Sequence, residues 1–213
     1  MKKQILIWGG VFIATFFALF LLVKYNSGPQ AVDETTYPEV SIIGAKDQTK
    51  GDTASKIVLV EYGDFQCPAC AVYEEFVTKL TDEFKNSIVF VYRNFPLRGH
   101  SNAVPAARYA EAAGLQGKYW EMHDILYARQ QAWAGLADAE PTFQKYGEEL
   151  QLDIVKLKID AASDAVKQKI DKDTNGGFNF NVNATPTFFL NGQKIQPANY
   201  DEFKSLINTA IAK

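Results

Sequence analysis

Apolar residues along this chain change their period several times, and each change marks an element. Ile5–Val23 is an unbroken run of 19 uncharged, mostly apolar residues, with Lys2 and Lys3 before it and Lys24 after it. As a helix it would cover about 28 Å, close to the hydrocarbon thickness of a bilayer. Lysines on the short side predict that residues 1–4 stay cytoplasmic, that 5–23 is a transmembrane anchor, and that the rest lies outside. A cleaved signal sequence is the competing reading. Signal cores are about 7–15 residues long and end at small residues, whereas Lys24-Tyr25-Asn26 follows here. Both readings export the remainder. Residues 24–55 read as a linker: Ser27–Thr36 is small and polar, Tyr37–Ile43 could form a short leading strand, and Lys46–Ser55 is polar again.

From Lys56 the pattern is that of a folded domain, residues 56–213. Ile57–Tyr62 is nearly continuous and β-branched, as in a strand covered on both faces. Gly63–Gln66 turns out of it, and Pro68 suits the first turn of a helix, where no N–H is needed. Val72, Phe76, Val77, Leu80 and Phe84 then recur at helical spacing, which predicts a buried stripe. Asn86-Ser87 ends the helix, and Ile88–Tyr92 is a second buried strand, completing a βαβ unit. Helical patterns follow from Ser101 to about Lys172: Ala103–Ala113, Gly117–Arg129, Glu148–Leu157 and Ala161–Ile170. Strands resume with Thr187–Leu190 and Gln193–Ile195 around Asn191-Gly192, a strong two-residue hairpin signal. Tyr200–Ala212, with Phe203, Leu206, Ile207 and Ile211 on one face, is a closing helix. The expected fold is α/β, with βαβ and ββα halves around a helical insertion at about 100–172, preceded by one transmembrane helix.

The formal net charge of −3 offers no basic footprint, so nucleic acid is not an expected partner. The only cysteines are Cys67 and Cys70. A disulfide-built scaffold would carry more, and structural zinc needs four ligands that His100 and His123 do not supply at any zinc-motif spacing. No metal or cofactor is expected, and redox chemistry is favoured.

Cys67 stands at the start of a helix, beside unpaired N–H groups at the positive end of its dipole. That field favours the thiolate, the species that attacks and leaves in exchange. Cys67 is therefore expected to be the exposed nucleophile and Cys70, one turn in, the resolving thiol. A static disulfide, as in a membrane-tethered binding or chaperone module, or half of a metal site is the bland alternative. Glu61, in an otherwise apolar strand, is either buried with a raised pKa, as a proton donor and acceptor for Cys70, or turned to solvent. Pro186 opens a strand, where proline is permitted. A cis Thr185–Pro186 bond would leave the Thr185 backbone free for an extended peptide, but local sequence does not decide it. His100 and His123 read as surface or helix-packing residues, and Tyr119, Trp120 and Met122 as core. Asp153, Asp160, Asp164, Asp171 and Asp173 read as solvated helix faces.

Val58–Phe84 around Phe65-Gln66-Cys67-Pro68-Ala69-Cys70, Arg93–Leu97 with His100, Tyr109–Gly114 with the Gly117–Asp124 segment, and Val182–Phe188 together resemble the DsbA-like branch of the thioredoxin superfamily. The likeness runs in order over roughly residues 56–212. It implies a thioredoxin fold, Cys67 and Cys70 as the redox pair flanked by Pro68 and Ala69, a cis Thr185–Pro186 bond beside them, and Glu61 as the family's buried acid. It further implies a protein that oxidises cysteine thiols of exported proteins and passes electrons to a membrane partner linked to quinone. Anchored members of the family are similar to what Ile5–Val23 suggests. No dimerisation domain precedes the core, so a monomer rather than a dimeric isomerase is implied. Strong oxidants of the family often carry His where this chain has Ala69, which leaves oxidising strength open.

Overall fold

Two β-branched runs set the architecture. In the computed structural model, which describes residues 35–213, Val58–Gly63 and Val89–Asn94 pair in parallel and are buried at every position. They form the middle of a five-stranded sheet ordered β1-β3-β2-β4-β5. Its strands are β1 (Gln48–Gly51), β2 (Val58–Gly63), β3 (Val89–Asn94), β4 (Thr187–Leu190) and β5 (Gln193–Ile195). The other neighbours pair antiparallel. Helix α1 (Pro68–Glu83) connects β2 to β3. Six helices intervene before β4: α2 (Ala103–Gly114), α3 (Tyr119–Ala128), α4 (Gln130–Trp133), α5 (Glu140–Glu149), α6 (Ile154–Ala161) and α7 (Asp164–Asn179). Helix α8 (Tyr200–Ile211) follows β5. This is an α/β thioredoxin fold with a helical insertion.

Alternation along the strands gives each face its own core. Leu59, Phe90, Phe188 and Leu190 pack with Val77 and Leu80 of α1, with α8 and with the insertion. Val58, Val60, Tyr62, Val89, Val91 and Phe189 pack with Val40, Phe95 and Val182 on the other side. Glu61 shares the first face with Leu59. Since both faces are covered, the solvent-facing alternative for Glu61 is wrong, and the residue is 1% exposed.

The hairpin is as its sequence predicts, with Asn191 and Gly192 at positive φ (49° and 84°). Elsewhere the structure corrects the pattern. Tyr37–Ile43 is no strand: Pro38–Ser41 forms a 3₁₀ turn, and the carbonyls of Val40 and Ile42 accept hydrogen bonds from buried Arg93, at 2.8 Å each. The polar stretch after it contains β1, an edge strand that needs no apolar alternation to pair with β3. Glu148–Leu157 is two helices meeting at a bend, since Asp153 caps α6 by accepting from the Lys156 N–H. The insertion runs on to Asn179. Val72 lies about 200° round the helix from Cys70, the residue that begins the buried stripe, and so is 59% exposed rather than core. Among the described residues no helix is long and apolar enough to cross a membrane, and the proposed anchor 5–23 lies outside the described residues.

Asp173 is also not on a solvated face. At the seam between insertion and sheet, Lys169 is buried with its Nζ 2.6 and 2.8 Å from the Asp173 carboxylate and 3.8 Å from Asp47 and Glu111. The Asn94 amide donates to Glu111 and Asp173, at 2.7 and 3.2 Å, and Gln48 donates to Glu111 at 2.8 Å. Burial holds the carboxyls of Asp173 and Glu111 above their ordinary range even with Lys169 present. Lys169→Met removes the central cation and is expected to cost roughly 3–5 kcal/mol at neutral pH, the range for a buried pair broken on one side. The penalty comes from charged buried carboxylates, so it should shrink as pH falls through their raised pKa values. Denaturant unfolding at neutral and acid pH measures it, and a deficit independent of pH would contradict this account.

Candidate active site

The site is built where β2 ends and α1 begins. Cys67 is the N-cap of α1, in extended conformation (φ −73°, ψ 120°), and Pro68 occupies the first helical turn. Pro68 and Ala69 are exposed at the tip, whereas Cys67 is 7% and Cys70 1% exposed, so the first sulfur is not the exposed one expected but is largely covered. Both cysteines are free thiols.

Their environments push them apart. A hydrogen bond from Cys70 pulls the Cys67 thiol down to about 5 against the opposing effect of burial, helped by Thr185 and by the backbone N–H groups of Cys70 and Ala69. Burial pushes Cys70 well above the ordinary thiol range, and its bond to Cys67 and the charge of Glu61 push the same way. Glu61 is in turn held well above the usual carboxylate range, first by burial and then by the charges of Glu74 and Cys67. The arrangement therefore stores a thiolate at Cys67 and keeps protons on Cys70 and Glu61.

Opposite the first sulfur, the Thr185–Pro186 peptide bond is cis. The Thr185 carbonyl lies 3.3 Å from Cys67 Sγ and accepts from it when the sulfur is protonated, and the buried Thr185 hydroxyl has no hydrogen-bond partner. Sequence reasoning singled out Cys67, Cys70, Glu61, Thr185 and Pro186, and the fold brings all five together although they come from β2, α1 and the loop before β4.

Other residues at the site were missed. Asp64 organises the turn after β2: its side chain accepts from the Gln66 N–H (2.7 Å) and the Leu97 N–H (2.9 Å) and lies 2.6 Å from His100 Nδ1. His100 is thus neither plain surface nor a neighbour of the sulfurs; it secures the turn that carries them. Gln66 donates to the Ala134 carbonyl (2.7 Å) and accepts from the Asn102 N–H (2.7 Å). Gln130 of α4, buried, donates to the carbonyls of Phe65 (2.8 Å) and Cys67 (2.9 Å). No spacing signal marks Gln130, which lies 63 residues from Cys67 in sequence. His123 is buried among aromatic rings, in keeping with helix packing, yet its Nε2 has no partner.

A family model described as Thioredoxin matches residues 45–209. The crystal structure of oxidised BdbD from Bacillus subtilis superposes with a TM-score of 0.75 at 21% identity, covering 85% of this chain and 100% of that one. For alpha-DsbA1 from Wolbachia pipientis the TM-score is 0.74 at 19% identity, over 83% of this chain and 96% of that one. Such identities establish a shared fold. In sequence, the Na(+)/H(+) antiporter NhaA 1 of Salinispora arenicola (strain CNS-205) is 37% identical over 169 residues, which is 78% of this chain and 25% of the antiporter. The chain thus spans about a quarter of the length of the curated relatives it matches. The chain belongs to the thioredoxin family, and it carries the Cys67–Cys70 pair on the fold it shares with those solved structures.

Proposed function

We propose that the protein introduces disulfides into exported proteins through Cys67 and Cys70. The observation that carries this reading is the asymmetry of the pair: Cys67 stands at the helix N-cap and is pulled down to about 5, while Cys70 is buried one turn in and pushed well above the ordinary thiol range. A stable thiolate stabilises the reduced form, and this makes the disulfide the better oxidant. A substrate thiolate attacks Cys67 Sγ of the disulfide, the S–S bond breaks, and Cys70 leaves with the electron pair and takes the proton of Glu61. The second substrate thiolate then attacks the mixed disulfide and releases Cys67 as a thiolate. The substrate has lost two electrons, now held by the Cys67–Cys70 dithiol, and a membrane partner linked to quinone removes them.

Thr185 and Pro186 line the first sulfur, and Pro68 and Ala69 form the exposed tip that meets the substrate. Ala69 supplies no imidazole, so the thiolate depends on Cys70, Thr185 and backbone N–H groups, without the cationic stabiliser that His there would add. Ile5–Val23 anchors the chain, with residues 1–4 cytoplasmic, 24–55 as the connector and 56–213 extracytoplasmic. The likeness to part of an antiporter fits a domain that works beside a membrane. A reductase or isomerase kept reduced by a membrane donor uses the same residues, and the redox state of the pair in cells separates the two: a pair found mostly reduced overturns the oxidase.

The ultraviolet absorbance of the thiolate in reduced protein should rise with a midpoint at about 5 and should vanish in Cys67→Ser. Because the folded pKa is depressed, Cys67 stabilises the reduced form fully above the ordinary thiol value of about 8.5, and this is lost as pH falls toward 5. The stability of the reduced protein relative to the oxidised one should therefore grow with pH across that window; a flat difference overturns the thiolate. In exchange with a peptide disulfide, Cys70→Ser should accumulate a mixed disulfide, releasing one peptide thiol, and Cys67→Ser should form none. Equal trapping by both variants would reverse or abolish the assigned roles.

A further inference from the structure

Glu61 Oε2 has no hydrogen-bond partner, and the charge that bears on Glu61 most strongly is that of Glu74. Glu74 stands one turn beyond Cys70 on α1. Its Oε1 accepts from the Thr78 hydroxyl at 2.8 Å, but its buried Oε2 is unpartnered. Facing that oxygen at 3.8 Å is Nε2 of His123, also buried and unpartnered. The other ring nitrogen, Nδ1, lies 3.0 Å from the carboxylate of Asp124, whose side chain is 53% exposed. Phe65, Tyr92, Trp120 and Tyr127 pack around the imidazole.

The neighbouring groups leave this line of four residues as the titrating path. From β1, Lys50 acts on Glu74; from β2, Glu61 faces the cluster; from α1 come Cys67 and Cys70. Tyr92 of β3 and Tyr119 and Tyr127 of α3 are all held well above the ordinary phenol range by burial. Glu74 itself is held above its ordinary range by burial. Ligand atoms of Glu74, His123 and Asp124 lie within 4.8 Å of one another. The closest approaches use opposite nitrogens of one ring, however, and a single cation cannot take both. An imidazole so placed accepts a proton at one nitrogen and releases one from the other.

We propose that Glu74, His123 and Asp124 form a proton relay connecting Glu61 to solvent behind the redox pair. The inference rests on the reading of Cys70 and Glu61 given above. When the S–S bond breaks, the Cys70 thiolate takes the proton of Glu61 and leaves a buried carboxylate. Glu74 returns a proton to Glu61 and receives one from His123 Nε2, while His123 Nδ1 takes one from solvent at Asp124. One proton enters for each disulfide reduced, and no electrons move along the path. Neither the 3.8 Å step nor the step between Glu74 and Glu61 is a direct hydrogen bond, and each closes by rotation of the Glu74 carboxyl or through one water.

The test is single-turnover reduction of the oxidised full-chain protein by dithiothreitol, followed across pH in ordinary and heavy water. Glu74→Gln and His123→Gln should each slow the step about tenfold, below the full contribution of a positioned acid, with a larger solvent isotope effect. Their equilibrium constants with glutathione should match the parent, because a relay changes rates and not end states. Slowing in Glu61→Gln with parent-like rates in the other two overturns the relay and leaves Glu61 as the donor. Parent-like rates in Glu61→Gln as well overturn the reading of Glu61 itself. Slowing matched by an altered equilibrium constant assigns Glu74 and His123 to packing and overturns the relay. Should His123→Gln fail to fold, Glu74→Gln, which keeps the Thr78 bond, and Asp124→Asn at an exposed position decide the question. Unchanged rates in both overturn the relay.

Discussion

One electrostatic constraint organises this protein: the Cys67 sulfur at the first turn of α1 is favoured as the thiolate, with Cys70 as its strongest stabiliser. It needs Cys70 buried and protonated and Cys67 at the helix N-cap, with the Thr185 carbonyl on the far side. Each requirement is met by a different part of the fold. Strand β2 and its covered faces bury Cys70 and Glu61, the loop before β4 brings Thr185, and the insertion holds the turn between β2 and α1 from above. Gln130, Gln66 and Asp64 tie that turn to α4 and to the segments around Leu97, Asn102 and Ala134. The insertion thus holds the backbone at Cys67 through the carbonyls of Phe65 and Cys67.

Two buried polar systems, one with Glu111 of α2 and the other with His123 of α3, differ in charge balance. Around Lys169 the carboxylates of Asp47, Glu111 and Asp173 face a buried ammonium, and Arg93 adds a second cation at Asp47. Amides from Asn94 and Gln48 take up the remaining oxygens. With the ammonium and carboxylates partnered and the Asn94 Oδ1 left without a partner, such a network suits a seam between sheet and insertion. Around Glu61 and Glu74 the carboxyl groups instead lack partners on one oxygen each, and burial raises both. Groups left in that state mark chemistry more often than scaffolding, because a protonated buried acid is ready to give its proton to a leaving thiolate.

How far the sequence alone could be read depends on whether a residue's environment lies along the chain or across it. The β-branched run at Val58–Tyr62, the Asn191-Gly192 hairpin and the N-cap position of Cys67 are local, set by backbone preferences and by spacing, and the structure keeps them. Strand β1 escaped notice since an edge strand in a polar stretch is held by its ladder to β3 and not by its own pattern. Val72 was misplaced because helical spacing identifies a stripe without saying which residue begins it. Asp173 and His123 look like ordinary polar helix positions until α7 and α3 are seen to press them against the sheet.

The sequence by itself determined the redox pair, the order βαβ, helices, ββα, and the candidates Glu61 and Thr185–Pro186. Those follow from local periodicity, capping chemistry and likeness to a family. Only the tertiary structure decided that Glu61 is buried, that Gln130 and His100 secure the active-site turn, and that Glu74 and His123 stand behind it. Burial and hydrogen-bond partners are properties of surfaces brought together from distant parts of the chain: Cys67 meets Thr185 across 118 positions, and no pattern within either segment records that contact.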